Sequence, residues 1–540
     1  MKKKYVRWTL WTIASPFILF VILCILIYLP PIQNFLVDKA AVYASEATGM
    51  NISVGRISLS FPLNLVVTDV DAASPHNDTL LSVRRLQVNV QLLPLLKKQV
   101  EVDGISLQGA TVNSNDLIHG MKLNGTLGEL FISSHGVALD PETAIVNKVL
   151  LKDTDLSLCL NDTAAVDTAA SDTTYWKIIL QDIDLQNVSF ALDMPLDSLS
   201  LAASLDNAIL RDGLIDLHKS AYSLQTFRIK NGRVRYDSGK PLAADSLPSG
   251  LDPSHIALTD IGVKLDSLYY EGRNMKAIIS QFVLKERSGV EIVSATGRMV
   301  SNDKVLRVPS LKLETRDSYL ELNAAMDWNA LDFKGEGLVS ARLMADIGKP
   351  DVVRFMGRMD EKFVRQYPSE PLRIRTGIDG DLNKLKLTTL TAELPGALGL
   401  FARGELTHLT DSLLRGGDIT LEAETKDLKF VSTLAEGIEI PYGTRLEGKF
   451  TMAGAKMGTD LLLMQPEAQA VAAADTIPIT VYNDSISVAD DFKMERAARL
   501  FAKYDLSRDR YEADLAVNHF DLTDEGAIWI WNRFTQYLQQ

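Results

Sequence analysis

The stretch Ile57-Ser58-Leu59-Ser60-Phe61-Pro62-Leu63-Asn64-Leu65-Val66-Val67-Thr68 alternates apolar with mostly polar residues. A period of two places Ile57, Leu59, Phe61, Leu63, Leu65 and Val67 on one face of an extended chain, so the segment reads as one long strand, apolar on one side. Leu86, Val88 and Val90 repeat the pattern against Gln87 and Asn89. Alternating runs separated by Asp, Asn, Gly and Pro continue through Ala277–Leu284, Leu311–Leu313 and Leu382–Leu390, which makes the chain mainly β.

Within these runs an eight-residue unit recurs: apolar-x-apolar, a polar residue, then Asp, Asn or Gly, then small-or-apolar-x-apolar. It spans Leu65 to Ala72, Ile105 to Val112, Val149 to Leu156, Ile183 to Phe190, Phe227 to Val234 and Ile256 to Val263, with looser copies from Ala423 and Leu515. Positions one and three share a face, but position six is out of phase with them. A β-bulge or tight turn is therefore expected at position five, where Asp, Asn and Gly tolerate the dihedrals required.

Upstream, Lys2, Lys3, Lys4 and Arg7 precede a run free of charge from Trp8 to Val37. Thr9 to Leu29, including Trp11, Phe17, Phe20, Leu23 and Leu26, has the roughly 20 apolar residues that a membrane-spanning helix needs. The basic residues before it place residues 1–8 in the cytoplasm and the rest outside. A cleaved signal peptide would have a shorter apolar region ending at a small-residue site, and the nearest, Val42-Tyr43-Ala44, lies well past Leu29, so a retained anchor is expected. Residues 32–48 have helical spacing and predict an amphipathic helix. Residues 51–347 and 369–522 read as two parts of a β-rich region, interrupted at 348–368 by a helix with Val352, Met356, Met359, Phe363 and Tyr367 on one face. Residues 523–540 leave the rhythm and read as the irregular tail of a truncated or frame-altered protein.

A net charge of -13 and a pI near 5.2 argue against a nucleic-acid partner. Cys24 lies inside the span and Cys159 stands outside it, so the two cannot pair. His76, His119, His135, His218, His255, His408 and His519 are scattered, and neither metal-ligand spacing nor a nucleophile elbow or phosphate loop is present. No cofactor or catalytic residue is expected. One short motif is over-abundant: Asp, then Ser or Thr, then an aliphatic or small residue. It resembles the O-glycan acceptor of some exported bacterial proteins and points to Thr79, Thr163, Thr168, Thr173, Ser198, Ser246, Ser267, Ser412, Thr476 and Ser485, although Asp-Ser and Asp-Thr also make good turns.

The span, then Ala47-Thr48-Gly49, Ile52-Ser53-Val54-Gly55-Arg56-Ile57, the long alternation, and Tyr367-Pro368-Ser369-Glu370-Pro371-Leu372 after the interrupting helix resemble the AsmA-like superfamily. The likeness is greatest to the N-terminal part of its TamB (translocation and assembly module) branch, whose members are longer. The resemblance implies an N-terminal transmembrane helix followed by an elongated, twisted, groove-like, taco-shaped β-sheet with a few short helices. It further implies a single-pass protein of the bacterial inner membrane, its bulk in the periplasm, carrying phospholipid acyl chains toward the outer membrane. Ile57, Leu59, Phe61, Leu63, Leu65, Val67, Leu86, Val88 and Val90 would line the membrane-proximal groove. Two other readings compete: an assembly factor docking to an Omp85- or TamA-type barrel for outer-membrane protein insertion or secretion, and an envelope enzyme, which would need a cavity with convergent polar groups.

Overall fold

In a computed structural model of the protein, the opening alternation is two strands rather than one. β1 (Asn51–Ser60) and β2 (Asn64–Ala73) pair antiparallel, with Ile57 opposite Val67 and Leu59 opposite Leu65. The register is centred on Pro62, which has no amide hydrogen to give to a ladder. Odd positions pair with odd, so Ile57 and Val67 stay on one face across the hairpin. A period of two cannot reveal such a reversal.

The structure describes residues 51–60, 64–74, 79–90, 102–114, 120–138, 142–161, 175–239, 250–332, 337–357, 359–434, 442–466, 479–481, 486–488, 494–505 and 510–517, with Lys39, Ala41, Val42, Ser45, Met50 and Ile440. The expected span at 9–29 and tail at 523–540 lie outside these. Of the expected helix at 32–48, the described Lys39, Ala41, Val42 and Ser45 are helical. Among the described residues no helix is long and apolar enough to cross a membrane.

The chain forms two compact units, residues 1–244 with 254–271, and 245–253 with 272–540. In the first, β1 and β2 continue into β3 (Thr79–Val90), β4 (Val102–Asn113), β5 (Met121–Ala138), β6 (Thr143–Leu160), β7 (Lys177–Met194), β8 (Leu199–Asp216), β9 (Ala221–Leu224), β10 (Thr226–Ser238) and β11 (His255–Glu271). Neighbours in sequence pair antiparallel up to β6, and β6 and β7 pair parallel. β8 then carries both β9 and β10, and β11 pairs with the same two. The connection from Leu160 to Lys177 holds fewer residues than either 18-residue strand beside it, so it could span a straight strand only near full extension.

The strands are not straight. Position five of all six close copies, Asp69, Gly109, Asp153, Asn187, Asn231 and Asp260, has φ between 49° and 63°. The first five fall in one row: Gly55 lies opposite Asp69, Arg84 opposite Gly109, Gly128 opposite Asp153, and Asp206 between Asn187 and Asn231, while Asp260 is displaced from it by the irregular pairing of β10 with β11. The pairing runs through this row from β1 to β8 and into β10 without an added residue. The expected bulge is therefore a crease shared by these strands; near this row the pairing becomes irregular where β10 meets β11. Glycine is required where a partner crowds the crease, since a Cβ on Gly128 would lie 2.8 Å from the Asp153 Cβ. Asn187 Nδ2 donates to Asp153 Oδ1 at 2.9 Å, tying two crease residues together. The looser copy from Ala423 forms no crease, because its strand ends at Thr425.

The second unit continues the pattern in β12 (Asn274–Glu286), β13 (Glu291–Ser301), β14 (Val305–Thr315), β15 (Tyr319–Asp327), β16 (Leu338–Ile347), β17 (Leu372–Asp381), β18 (Lys384–Leu394), β19 (Leu398–Thr407), β20 (Gly416–Thr425), β21 (Arg445–Ala453) and β22 (Lys456–Pro466). A short hairpin, β23 (Ile479–Val481) and β24 (Ile486–Val488), precedes β25 (Met494–Asp505) and β26 (Arg510–Val517); β25 pairs with β22. The expected run Leu382–Leu390 includes the turn between β17 and β18. A short helix, α1 (Trp328–Leu331), follows β15.

The expected helix at 348–368 is two, α2 (Lys349–Met356) and α3 (Glu361–Gln366), divided at Gly357, whose φ of 76° ends α2. α3 buries Phe363 against Tyr367 and Phe430, with ring centroids 5.1 to 5.7 Å apart, over Leu394, Ala397 and Leu428. Val352 and Met359 pack against this cluster, while Met356 is exposed. Glu424 on β20 is 3 % exposed, and among the described residues Arg445, 3.6 Å away, is the cation that faces its carboxylate. Burial raises its pKa above the ordinary carboxylate value despite Arg445. The folded state therefore holds this proton more tightly than the unfolded chain, and stability falls as pH rises through the carboxylate range. Glu424→Gln is expected to raise the melting temperature at pH 7.5 and to give no gain at pH 3.5, as thermal unfolding at the two pH values will show.

Candidate functional site: a creased apolar ladder

The crease changes which residues share a face. On β7 three apolar pairs, Ile178 and Leu180, Ile183 and Leu185, and Val188 and Phe190, follow one another with a three-residue step at each boundary, beside Ile179, Leu192 and Met194. β6 repeats this with Ala144 and Val146, then Val149 and Leu151, and then the polar Thr154 with Leu156. A regular strand would throw successive pairs to opposite faces; at the second boundary the left-handed Asn187 of β7 and Asp153 of β6 turn the chain so that the pairs stay on one. A second aligned row runs through Asn147, Gln181 and Asp212, of which Asp212 alone has a positive φ, 51°. The sequence repeat was legible there too: Ala208 to Ile215 fits the eight-residue unit, with Asp212 at position five and Gly213 at position six.

Between the two creases lies the central facet. Its rows follow the register without interruption: Leu65, Val88, Ile105, Ile132, Val149, Ile183, Leu210, Phe227 and Leu265 are successive cross-strand partners. Val67, Leu86, Leu107, Leu130, Leu151, Leu185, Ala208, Ile229 and Val263 form the row beside it. Strand spacing makes this track on the order of 40 Å long. Apart from Ala208, every side chain in both rows is half-buried or exposed, Ile105 at 37 %. The opposite face is mixed: its middle row runs Val66, Gln87, Ser106, Phe131, Leu150, Asp184, Ile209, Arg228 and Lys264, Asp182 forms an ion pair with Arg211, and Asn207 Nδ2 donates to Asp184 Oδ1 at 3.2 Å.

The second unit has a row of the same kind. Gly297, Leu311, Leu322, Leu343, Thr376, Leu390, Ala402, Leu421, Gly448, Leu461, Leu500 and Leu515 are successive partners from β13 to β26. Its two glycines are filled from the next strand, since a Cβ on Gly297 or Gly448 would lie 2.9 Å from a methyl of Leu311 or Leu461. Here too the other face is charged. Arg499 holds Asp460 through two hydrogen bonds of 2.8 and 2.6 Å and lowers the carboxyl's pKa.

Of the lining residues read from the sequence, Leu65, Val67, Leu86, Val88 and Val90 are half-buried, and the first four lie in the central facet. Ile57 is buried at 8 %. Leu59 is paired with Leu65, and Phe61 and Leu63 lie outside the described residues. Positions one and three of each repeat copy mark the residues of the central facet beyond Val90. Among the described residues no three potential metal ligands come together.

Thr79, Ser198 and Ser412 are exposed, and Ser267 is half-buried inside β11. Thr163, Thr168, Thr173, Ser246, Thr476 and Ser485 lie outside the described residues. Ser412 stands in a turn held by Asp411, whose carboxylate accepts the amides of Leu413 and Leu414 at 2.8 and 3.2 Å. If Ser412 is an acceptor, Ser412→Ala will remove one glycan increment from the intact mass of protein taken from its native envelope; an unmodified wild-type mass would dismiss the motif.

The chain matches no protein-family model, and no curated protein is similar to it.

Proposed function

We propose that the protein is anchored in the bacterial inner membrane and carries phospholipid through the periplasm toward the outer membrane. One observation carries this reading: each unit has a continuous cross-strand row, apolar throughout in the first unit and interrupted in the second only by Thr376 and two glycines, and in the first unit its large side chains keep access to solvent. Burying apolar surface is favourable by roughly 25 cal/mol per Å², about 0.8 kcal/mol per methylene, so an uncovered track of this length favours a long apolar occupant. Acyl chains suit it because they need continuity of apolar contact and no directional partner. The creases add a second support, since turning one apolar face into three adjoining facets makes a trough from a single-layered sheet. Such a conduit needs no catalytic group.

Protein purified whole from its native membrane in mild detergent is expected to yield phospholipid on organic extraction, above the amount carried by an unrelated single-pass protein. Lipid-free protein that co-purifies with an Omp85-type barrel would instead favour the assembly role.

A further inference from the structure

We infer that the first unit stores diacyl phospholipid two abreast in its middle and passes it one at a time through the narrower stretch built by β1 to β4, an inference that rests on the conduit reading. On β2 four side chains line the trough, Leu65, Val67, Val70 and Ala72, and the residues in register with them on β1, β3 and β4 are all apolar. On β7 Leu192 and Met194 follow the three pairs described above, which doubles the lining. The residues in register with it on β6 and β8 are apolar throughout, apart from Thr154 and Gly213. Gly213 also fixes the facing of the facet beyond the Asp212 crease. A Cβ there would lie 2.9 Å from a methyl of Leu210 and 3.4 Å from the Leu180 Cβ, so this facet shares the trough face with the central one.

The two stretches differ in width and in cover. At ~3.3 Å per residue, Leu65 to Ala72 makes about 20 Å of wall, folded at the Asp69 crease into two facets of about 10 Å each. One acyl chain against each facet is one diacyl lipid. Ile178 to Met194 makes about 50 Å of wall in three facets, enough for a second lipid beside the first. Cover follows width. In the narrow stretch Ile57 and Val83 are only 8 % and 6 % exposed, whereas on β7 each lining side chain is half-buried or exposed, Phe190 at 38 %. None of these lining positions carries a charge, and a headgroup moved among them would lose its water without gaining a partner. Headgroups therefore stay at the open mouth while the chains fill the interior, so the wide stretch selects paired acyl chains and is indifferent to headgroup charge.

The test uses the full-length chain reconstituted in donor vesicles of phosphatidylcholine with a trace of fluorescent phosphatidylcholine. It reads transfer to acceptor vesicles and, by native mass spectrometry, the lipids retained per chain. Leu81→Trp with Ile105→Trp puts a ring on each facet of the narrow stretch and is expected to slow transfer at least about tenfold. Ala144→Trp with Ala203→Trp fills the two flanking facets of the wide stretch; it should remove at least one retained lipid and leave the transfer rate within about twofold. Leu81 and Ile105 are exposed and Ala144 and Ala203 half-buried, so the added rings project into the trough. Circular dichroism checks the fold, and Ile178→Trp with Leu192→Trp is an independent pair on the same flanking facets. A wide-stretch pair that slows transfer as much as the narrow one, or that retains as many lipids as wild type, overturns the two-abreast inference alone. So does a narrow-stretch pair that transfers like wild type. Wild type that neither retains nor transfers lipid overturns the conduit reading together with it.

Discussion

A variant carrying Ile183→Asp and Leu185→Asp is expected to lose phospholipid loading by at least about tenfold while remaining folded. The two residues adjoin in the central facet of β7, where they pair with Val149 and Leu151 on one side and Leu210 and Ala208 on the other. With the trough empty, carboxylates there stay hydrated, because the residues they replace are only half-buried. With an acyl chain in place they must be desolvated without a partner, at a cost of several kcal/mol. Each ~1.4 kcal/mol is a factor of ten in occupancy, so a tenfold loss is a low bound. Extracted lipid per mole of protein is the readout, with circular dichroism as the folding check. Gln186→Asp, on the polar face of the same strand, is the matched control and should load normally. Equal lipid in all three proteins would rule out the central facet as the path.

The second large effect is on the crease. Asn187→Val places a β-branched residue at a φ of 52°, which costs about 1–3 kcal/mol. It also removes the hydrogen bond to Asp153, worth about 1 kcal/mol. Together these are expected to lower the melting temperature of the first unit by roughly 5–10 °C. Asn187→Gly keeps the backbone free and loses only the side-chain bond, so its drop should be less than half as large. Differential scanning calorimetry of the full chain separates the two, and equal drops would mean that the backbone conformation is not what position five supplies.

These two variants also mark what was legible in advance. Ile183, Leu185 and Asn187 are consecutive landmarks of one repeat copy, and the out-of-phase step from Leu185 to Val188 announces that the chain must turn at Asn187. What the repeat could not say is how. A bulge and an aligned left-handed residue have the same local signature, because both demand Asp, Asn or Gly at one position. They differ only in whether the neighbouring strand keeps count, which is a property of pairing. The single helix expected at 348–368 failed for a related reason: Val352 to Tyr367 keeps helical spacing across Gly357, while the backbone there turns left-handed and starts a new helix.

From sequence alone followed the mainly β class, the one-sided alternation, the absence of recognisable catalytic motifs, and the turning points at Asp69, Gly109, Asp153, Asn187, Asn231 and Asp260, since periodicity and dihedral tolerance are local properties of a chain. Only the tertiary structure decided that the strand across Pro62 is a hairpin, that β6 and β7 run parallel, and that the first five turning points stand in one row facing Gly55, Arg84, Gly128 and Asp206. Those outcomes depend on which strand lies beside which. Register is fixed by contacts between residues distant in sequence, and a pattern of period two reads the same under several registers until the neighbours are known.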